Sequence, residues 1–491
     1  MGPTLAMNGL LLRSVGMAES QTNLAWDVLL DLGRPGDGPL HERVTRALRS
    51  AIRERRLAPG QVLPPSRDLA ADLGCSRWTV TEAYGQLTAE GYLEARTGSG
   101  TRVRRTAETA PDQRRTAAAR PALPRYDLAP GLPDLRAFPR RRWADAVRAQ
   151  VTTVAFDELG FPPQAGHRRL RELIAAYLRR SRGVSATVDD VTICTSVTDG
   201  VRRMCRMLIA SGVTAVGCEE PGWTRLRDVI RASGMETVPI PVDDRGIRVD
   251  ALAANGLRAV LVTPAHQFPL GTVLAPERRA ALLRWANDVD GVVLEDDYDA
   301  EFRYDRRPVG TLQGLDPSRV VLFKSLSKML SPAIGIGWMV APPRISEQVR
   351  RDDTAIAPPV LDQLAFAGLL ESGGYDRHLR GCRRRYRRRR DALVDSLARA
   401  LPGATISGIA AGLHLVLDLA PGADAAAVAT AAAARSVRVA TLDGYHAEPT
   451  GSRTALVLGY GNLADTAVDG AVRELAAAIS EASTAAPAPH R

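Results

Sequence analysis

Apolar residues set the first rhythm of the chain. Leu40, Val44, Leu48 and Ile52 recur every four residues, which places one apolar stripe along a helix. The stretch "PGQVLPPSRDLAADLG" predicts a turn, a second helix capped by Ser66 and a stop at Gly74. Ser76 reads as the cap of a third helix, "RWTVTEAYGQLTAEG", with Val80, Tyr84 and Leu87 turned inward. "YLEARTGSGTRVRR" then predicts two short strands around a Gly-Ser-Gly tip. From Tyr126 to about Ser483 the pattern changes. Short β-branched runs ("VTIC", "TAVGC", "AVLVT", "GVVLE", "RVVLF") alternate with longer helical stretches, the signature of an α/β domain with a mainly parallel sheet. The intervening Thr/Ala/Arg/Pro-rich stretch has no periodicity and reads as a linker. The expected boundaries are a disordered leader over 1–23 (with Met17 an alternative start), a small domain over 24–105, the linker over 106–125, a large domain over 126–484 and a frayed tail over 485–491.

Charge sharpens the picture of the small domain. Pro39–Arg105 carries 12 arginines against 7 acidic residues, a net +5 out of +10 for the 491-residue chain. A helix, a helix-turn-helix and a basic β wing form the layout of a winged helix, whose third helix enters the major groove while the wing follows minor-groove phosphates. "LPPSRDLAADLGCSRWTVTEAYGQLTAEGYLEARTGSGTRV" closely resembles the GntR-type winged helix. The resemblance implies double-stranded DNA as a partner. It implies contacts from Arg67, Arg77 and Thr79, with Gly98, Ser99 and Gly100 as the wing tip; Ser76, Arg96 and Arg102 complete the expected DNA-binding set. Arg67 and Arg77 stand in first helical turns, where a cation gains nothing from the helix dipole. A solvated face is the plainer explanation for any arginine, and that placement tilts these two toward DNA.

The large domain holds both lysines of the protein, Lys324 and Lys328 in "FKSLSKML"; the other 63 of the 65 basic residues are arginine. A guanidinium cannot attack a carbonyl, whereas a desolvated lysine amine forms a Schiff base. "VVLEDDYDAEFRY" places Glu295, Asp296 and Tyr298 at the carboxyl end of a buried strand, where open α/β sheets bind ligands. An acid for a pyridinium nitrogen, a tyrosine and a Schiff-base lysine are the parts that hold pyridoxal phosphate, PLP. The five cysteines, Cys75, Cys194, Cys205, Cys218 and Cys382, have no metal-ligand spacing and suit a reduced cytoplasm. No run of 18 apolar residues exists, so no membrane partner is expected.

"VTPAHQFPLG", "EEPGW" and "AGHRRLRELIAAYLRRSRGV", following the winged helix, make the whole chain similar to the MocR family. Those are GntR-type regulators fused to a fold-type I aminotransferase-like domain, so the implied fold class is an α+β winged helix plus an α/β PLP-dependent transferase-like domain. By position, Lys328 matches the Schiff-base lysine and Asp296 the partner of the ring nitrogen, with adjacent Glu295 as fallback. Tyr298 would bond the ring hydroxyl, Trp223 would stack and His266 would sit by the cofactor. An ordinary core aromatic and a satisfied interior histidine are the plain alternatives for the last two. Lys324 stands where the family usually has glycine.

The phosphate subsite departs from the family pattern. "TSVTDG" puts Val197 in place of a glycine, "SPAIGIGW" puts Gly335 where an arginine belongs, and "LGFPPQAG" puts Phe161 where a tyrosine belongs. Thr198, Ser325 and Ser327 remain as donors, Asp199 adds a negative charge, and Lys324 is placed to supply the missing cation. The arginine that grips an amino-acid carboxylate falls near Val457. A second arginine run, Arg377–Leu393, is helical in pattern and reads as a solvated face or as a contact to flanking DNA. The expectation is a cytoplasmic, head-to-tail homodimeric transcriptional regulator, without turnover, whose large domain senses PLP or a PLP–amine adduct. A pocket for a different small-molecule effector and a working aminotransferase are the alternatives.

Overall fold

The computed structural model describes residues 30–34, 38–96, 100–104, 123–304, 309–352, 356–448 and 453–485. The expected leader, most of the linker, the wing-tip Gly98 and Ser99 and the last residues of the tail lie outside that set, as does the side chain of Arg96. The chain divides into two compact units, Met1–Pro121 and Ala122–Arg491.

The small unit is built from α1 (Leu40–Arg53), α2 (Ser66–Asp72), α3 (Arg77–Ala89) and the antiparallel pair β1 (Leu93–Arg96) and β2 (Gly100–Val103). Val44 and Leu48 of the four-residue repeat are fully buried against Leu69, Val80 and Leu87, while Leu40 stays exposed at the helix start. One expected cap differs. Pro65, not Ser66, precedes α2, and no side chain caps it; the fixed φ of proline enters a helix well on its own. Gly74 follows the helix in the left-handed region, at φ +62°, as expected of a terminator.

The large unit is organised by an eight-stranded sheet. Its strands are β3 (Val191–Cys194), β4 (Ala215–Glu220), β5 (Glu236–Asp243), β6 (Gly246–Ile247), β7 (Ala259–Val262), β8 (Val292–Asp296), β9 (Val320–Ser325) and β10 (Gly337–Val340). Their spatial order is β3-β10-β9-β8-β7-β4-β5-β6, with the central pairs parallel and β10 antiparallel to both neighbours. Each apolar run read from the sequence lies on one of these strands. They read as unbroken apolar runs because both faces are covered: Leu322 enters one buried cluster, Val321 and Phe323 another. The 27-residue helix α4 (Gly374–Ala400) precedes a four-stranded antiparallel sheet built around His414–Asp418 and Ala455–Gly459. No described helix is long and apolar enough to cross a membrane.

Candidate functional site

In the small unit, Ser76 caps α3: its Oγ accepts from the Thr79 backbone N–H at 3.2 Å. The Thr79 hydroxyl in turn lies 2.9 Å from Ser76 Oγ, and Thr79 is buried. The structure therefore turns Thr79 inward, away from the face where Arg77 is exposed. Arg77 Nε donates to Ser66 Oγ at 3.4 Å, which brings the starts of α2 and α3 together, with exposed Arg67 one residue further on. The outward face of α3 also carries Trp78, 63% exposed, and Thr81. Neither was singled out from the sequence, although both are what remains once Val80, Tyr84 and Leu87 are assigned inward. Arg102 lies on β2, its Nε buried without a partner among the described residues. Gly100 sits at φ +77°, a conformation that favours glycine.

In the large unit, a cavity of about 270 Å³ opens at the carboxyl ends of the central strands, where open α/β sheets place ligands. Lys328, Asp296, Tyr298 and Trp223 share its wall. β8 delivers Asp296, and the turn after β9 delivers Lys328. Lys328 Nζ stands 5.8 Å from the centre of the Trp223 ring and donates to the carbonyl of Gly131. Gly131 was missed by the sequence reading. Its φ of +111° explains the glycine.

Asp296 Oδ1 is buried and has no hydrogen-bond partner among the described residues. Burial and the neighbouring Asp297 push its carboxyl up to about 7, with Lys328 opposing. Burial lowers the Lys328 amine, against the pull of Asp296 and Asp299. Glu295, the fallback acid, faces the other way and accepts from the backbone N–H groups of Leu312 at 3.1 Å and Gln313 at 3.0 Å.

Four of the expected cofactor residues lie off this wall. His266 is buried behind Tyr298, with Nδ1 3.0 Å from the Tyr298 hydroxyl and 2.9 Å from Asp299 Oδ2. Thr198 lines a separate surface depression with Arg202 and Arg225. Ser325 and Ser327 bond each other through Ser327 N–H and Ser325 Oγ at 3.4 Å. Lys324 differs most from its expected place. It lies on β9 and is fully buried with Nζ 2.9 Å from Asp297 Oδ2 and 2.7 Å from Glu301 Oε1. Arg182 clamps the same Asp297 through both oxygens at 3.0 Å. Lys324 is held in this buried network and does not supply the missing phosphate cation.

Where the resemblance expects a phosphate site, Val197 turns its side chain into the core and begins the helix Val197–Ala210. Its bulk does not fill the turn. The Asp199 carboxylate accepts from the Thr195 N–H at 3.1 Å and pairs with Arg203 at 2.9 Å. Gly335 has open space around it at φ +63°, and Phe161 is fully exposed. Val457 is buried, and Arg453 is held by Asp418 at 2.7 Å and Ser407 at 2.6 Å. On α4, Arg389 is buried between Asp134 and Asp465. Arg377, Arg380, Arg384 and Arg388 have no ion pair among the described residues and fall along one stripe of the helix.

Known proteins match both units. Residues 40–103 match the gntR family of bacterial regulatory proteins, and residues 137–453 match aminotransferase class I and II. The chain is 35% identical over 411 residues to the "Probable rhizopine catabolism regulatory protein MocR" of Rhizobium meliloti, covering 79% of this chain and 83% of that protein. It is 32% identical over 444 residues to the HTH-type pyridoxine biosynthesis transcriptional regulator PdxR of Corynebacterium glutamicum, covering 89% and 95%. In solved structures, an archaeal alanine:glyoxylate aminotransferase superposes with a TM-score of 0.67 at 26% identity, covering 72% of this chain and 91% of that one.

Proposed function

We propose, from the premise that the chain belongs to the MocR family of transcriptional regulators, that its large unit binds PLP through Lys328 and reports occupancy to the DNA-binding unit. The observation that carries this reading is Asp296 Oδ1, a buried acceptor without a donor, on the same wall as Lys328. A protonated ring nitrogen would satisfy it, and an unsatisfied buried carboxylate is otherwise costly. Asp296 would hold that nitrogen, Tyr298 would donate to the ring hydroxyl and Trp223 would cover one ring face. His266 would act through Tyr298, fixing its hydroxyl. When bound, PLP supplies an electrophilic carbonyl carbon within reach of primary amines. We read the large unit as a sensor without turnover, because the arginine place for an amino-acid carboxylate is filled by buried Val457.

In the same reading the protein is a head-to-tail homodimer. Val151, Phe156, Leu159 and Phe161 expose apolar surface on one short stretch, the kind a second copy covers. Arg67, Arg77, Arg96 and Arg102 contact DNA together with Ser76, Gly100 and the tip residues Gly98 and Ser99.

Addition of PLP to the full-length protein is expected to produce a visible absorption band that borohydride fixes to Lys328. Lys328→Ala abolishes it and Lys324→Ala does not. A second reading, a different small molecule in this cavity, is favoured by the Asp199 carboxylate and by the absence of an arginine at Gly335. Failure of PLP to bind at all would select it. On the DNA side, Arg77→Ala should relax base preference by about 1–3 kcal/mol, while Arg102→Ala weakens all duplexes alike and lowers the salt slope.

A further inference from the structure

We infer that the effector of this cavity is a primary amine with an aromatic or apolar body and no carboxylate. The inference rests on the cavity being the effector site, and it follows from what lines the wall. Four rings, Trp223, Phe268, Tyr298 and Tyr445, form much of it; the cofactor would take Trp223 and Tyr298, which leaves Phe268 and Tyr445, with Leu132 and Leu413, to the effector. The Phe268 ring stands edge-on to Tyr298 at 6.1 Å and to Tyr445 at 4.9 Å, so the rings form one continuous apolar surface. Ring faces of this kind attract ammonium groups and bury hydrocarbon.

The same wall offers a carboxylate no free cation among the described residues. Among the described residues its charged members are Lys328 and Asp296, and the proposed cofactor engages both. His414, the other basic side chain there, points Nε2 at the carbonyl of Pro269, 3.0 Å away. Burial, with His266 beside it, lowers its pKa to about 3, so the ring stays neutral. Arg453, the arginine closest in sequence to the expected carboxylate position, is taken up by Asp418 and Ser407. Val457, at that position, packs with Val416 and Ala455. A carboxylate entering here would lose its hydration without gaining a cation, which is strongly unfavourable. An amine that lacks one avoids that second cost.

2-Phenylethylamine and L-phenylalanine differ only by the carboxylate and so isolate this effect. Calorimetric titration of the PLP-loaded, full-length protein is expected to show the amine binding at least about 100-fold more tightly, a gap set by the desolvation of one unpaired carboxylate. Leu132 is half-buried on a loop, and Leu132→Arg adds a guanidinium to the wall without disturbing a strand. That variant should tighten L-phenylalanine about tenfold and narrow the ratio. Equal or tighter binding of L-phenylalanine by the wild type overturns the inference, and so does binding of neither compound to protein that holds PLP. Protein that takes up no PLP sinks the cofactor reading itself, and this inference with it.

Discussion

Two lysine–aspartate pairs lie at the ends of the same two strands or just beyond them, and they have opposite characters. Lys324 and Asp297 are mutually bound, joined by Arg182 and Glu301. Burial alone would lower the lysine and raise the aspartate, but the partners win. Lys324 is held above its ordinary value and Asp297 well below. Lys328 and Asp296, one turn and one residue away, lack that company. There burial wins, lowering the amine and raising the carboxyl. The satisfied pair is structural; the unsatisfied pair faces a cavity and is left able to react or bind. Identity and spacing do not decide which lysine does chemistry. Counter-charge decides which one is left free to react.

The largest effect should come from breaking the satisfied pair. Lys324→Met leaves Asp297 and Glu301 buried with one cation fewer, and removal of one partner from such a network costs roughly 3–5 kcal/mol. Calorimetric melting of the large unit should fall by several degrees, whereas Lys328→Met should leave it nearly unchanged or raise it. Equal losses for the two variants would erase the distinction between the pairs.

The next test uses pH. Asp296 titrates near 7 in the folded protein and near 4 when unfolded. Between those values the folded state binds the extra proton, so stability falls as pH rises through this window, and the full penalty is present above it. In PLP-free protein, Asp296→Asn should therefore gain on the wild type between pH 4 and 8, by on the order of 1–3 kcal/mol at the upper end. With PLP present the order should reverse, because the ring nitrogen loses its counter-ion. A constant difference across the pH range would mean that Asp296 is already satisfied.

These contrasts show what was legible in the sequence. The central strands were readable because burial on both faces leaves continuous β-branched runs. Lys328, Asp296 and Tyr298 were legible because each sits at a strand end or just beyond one, whereas Trp223 came from the family resemblance alone. Lys324 was expected at the phosphate because it lies four residues from Lys328, but that spacing spans the end of a strand and a turn, and Lys324 points into the buried network instead. Strand alternation already separates Glu295 and Asp297 from Asp296, and it would have resolved the choice of acid. Thr79 was assigned outward because nothing in the sequence shows its hydroxyl folding back onto Ser76 Oγ. Gly131 lies 197 residues from Lys328, and such pairings have no local signal.

The smallest expected effect compares the ring end of the cavity with its phosphate end. Gly335 stands at φ +63° with open space around its missing side chain. An arginine fits there sterically but pays about 1 kcal/mol or somewhat more for the left-handed backbone. A charge-assisted contact to a phosphate returns roughly 1.5–3 kcal/mol. The net is a gain of about 1 kcal/mol, or severalfold in affinity, so Gly335→Arg should tighten PLP modestly. Pyridoxal, which lacks the phosphate, makes the same contacts at the ring end and should bind both proteins alike. The PLP-to-pyridoxal affinity ratio is therefore the sensitive measurement, since any general damage to the fold cancels in it. A ratio that rises severalfold locates the phosphate beside Gly335 and shows the ring end to be intact. An unchanged ratio with both ligands bound would put the phosphate elsewhere than beside Gly335.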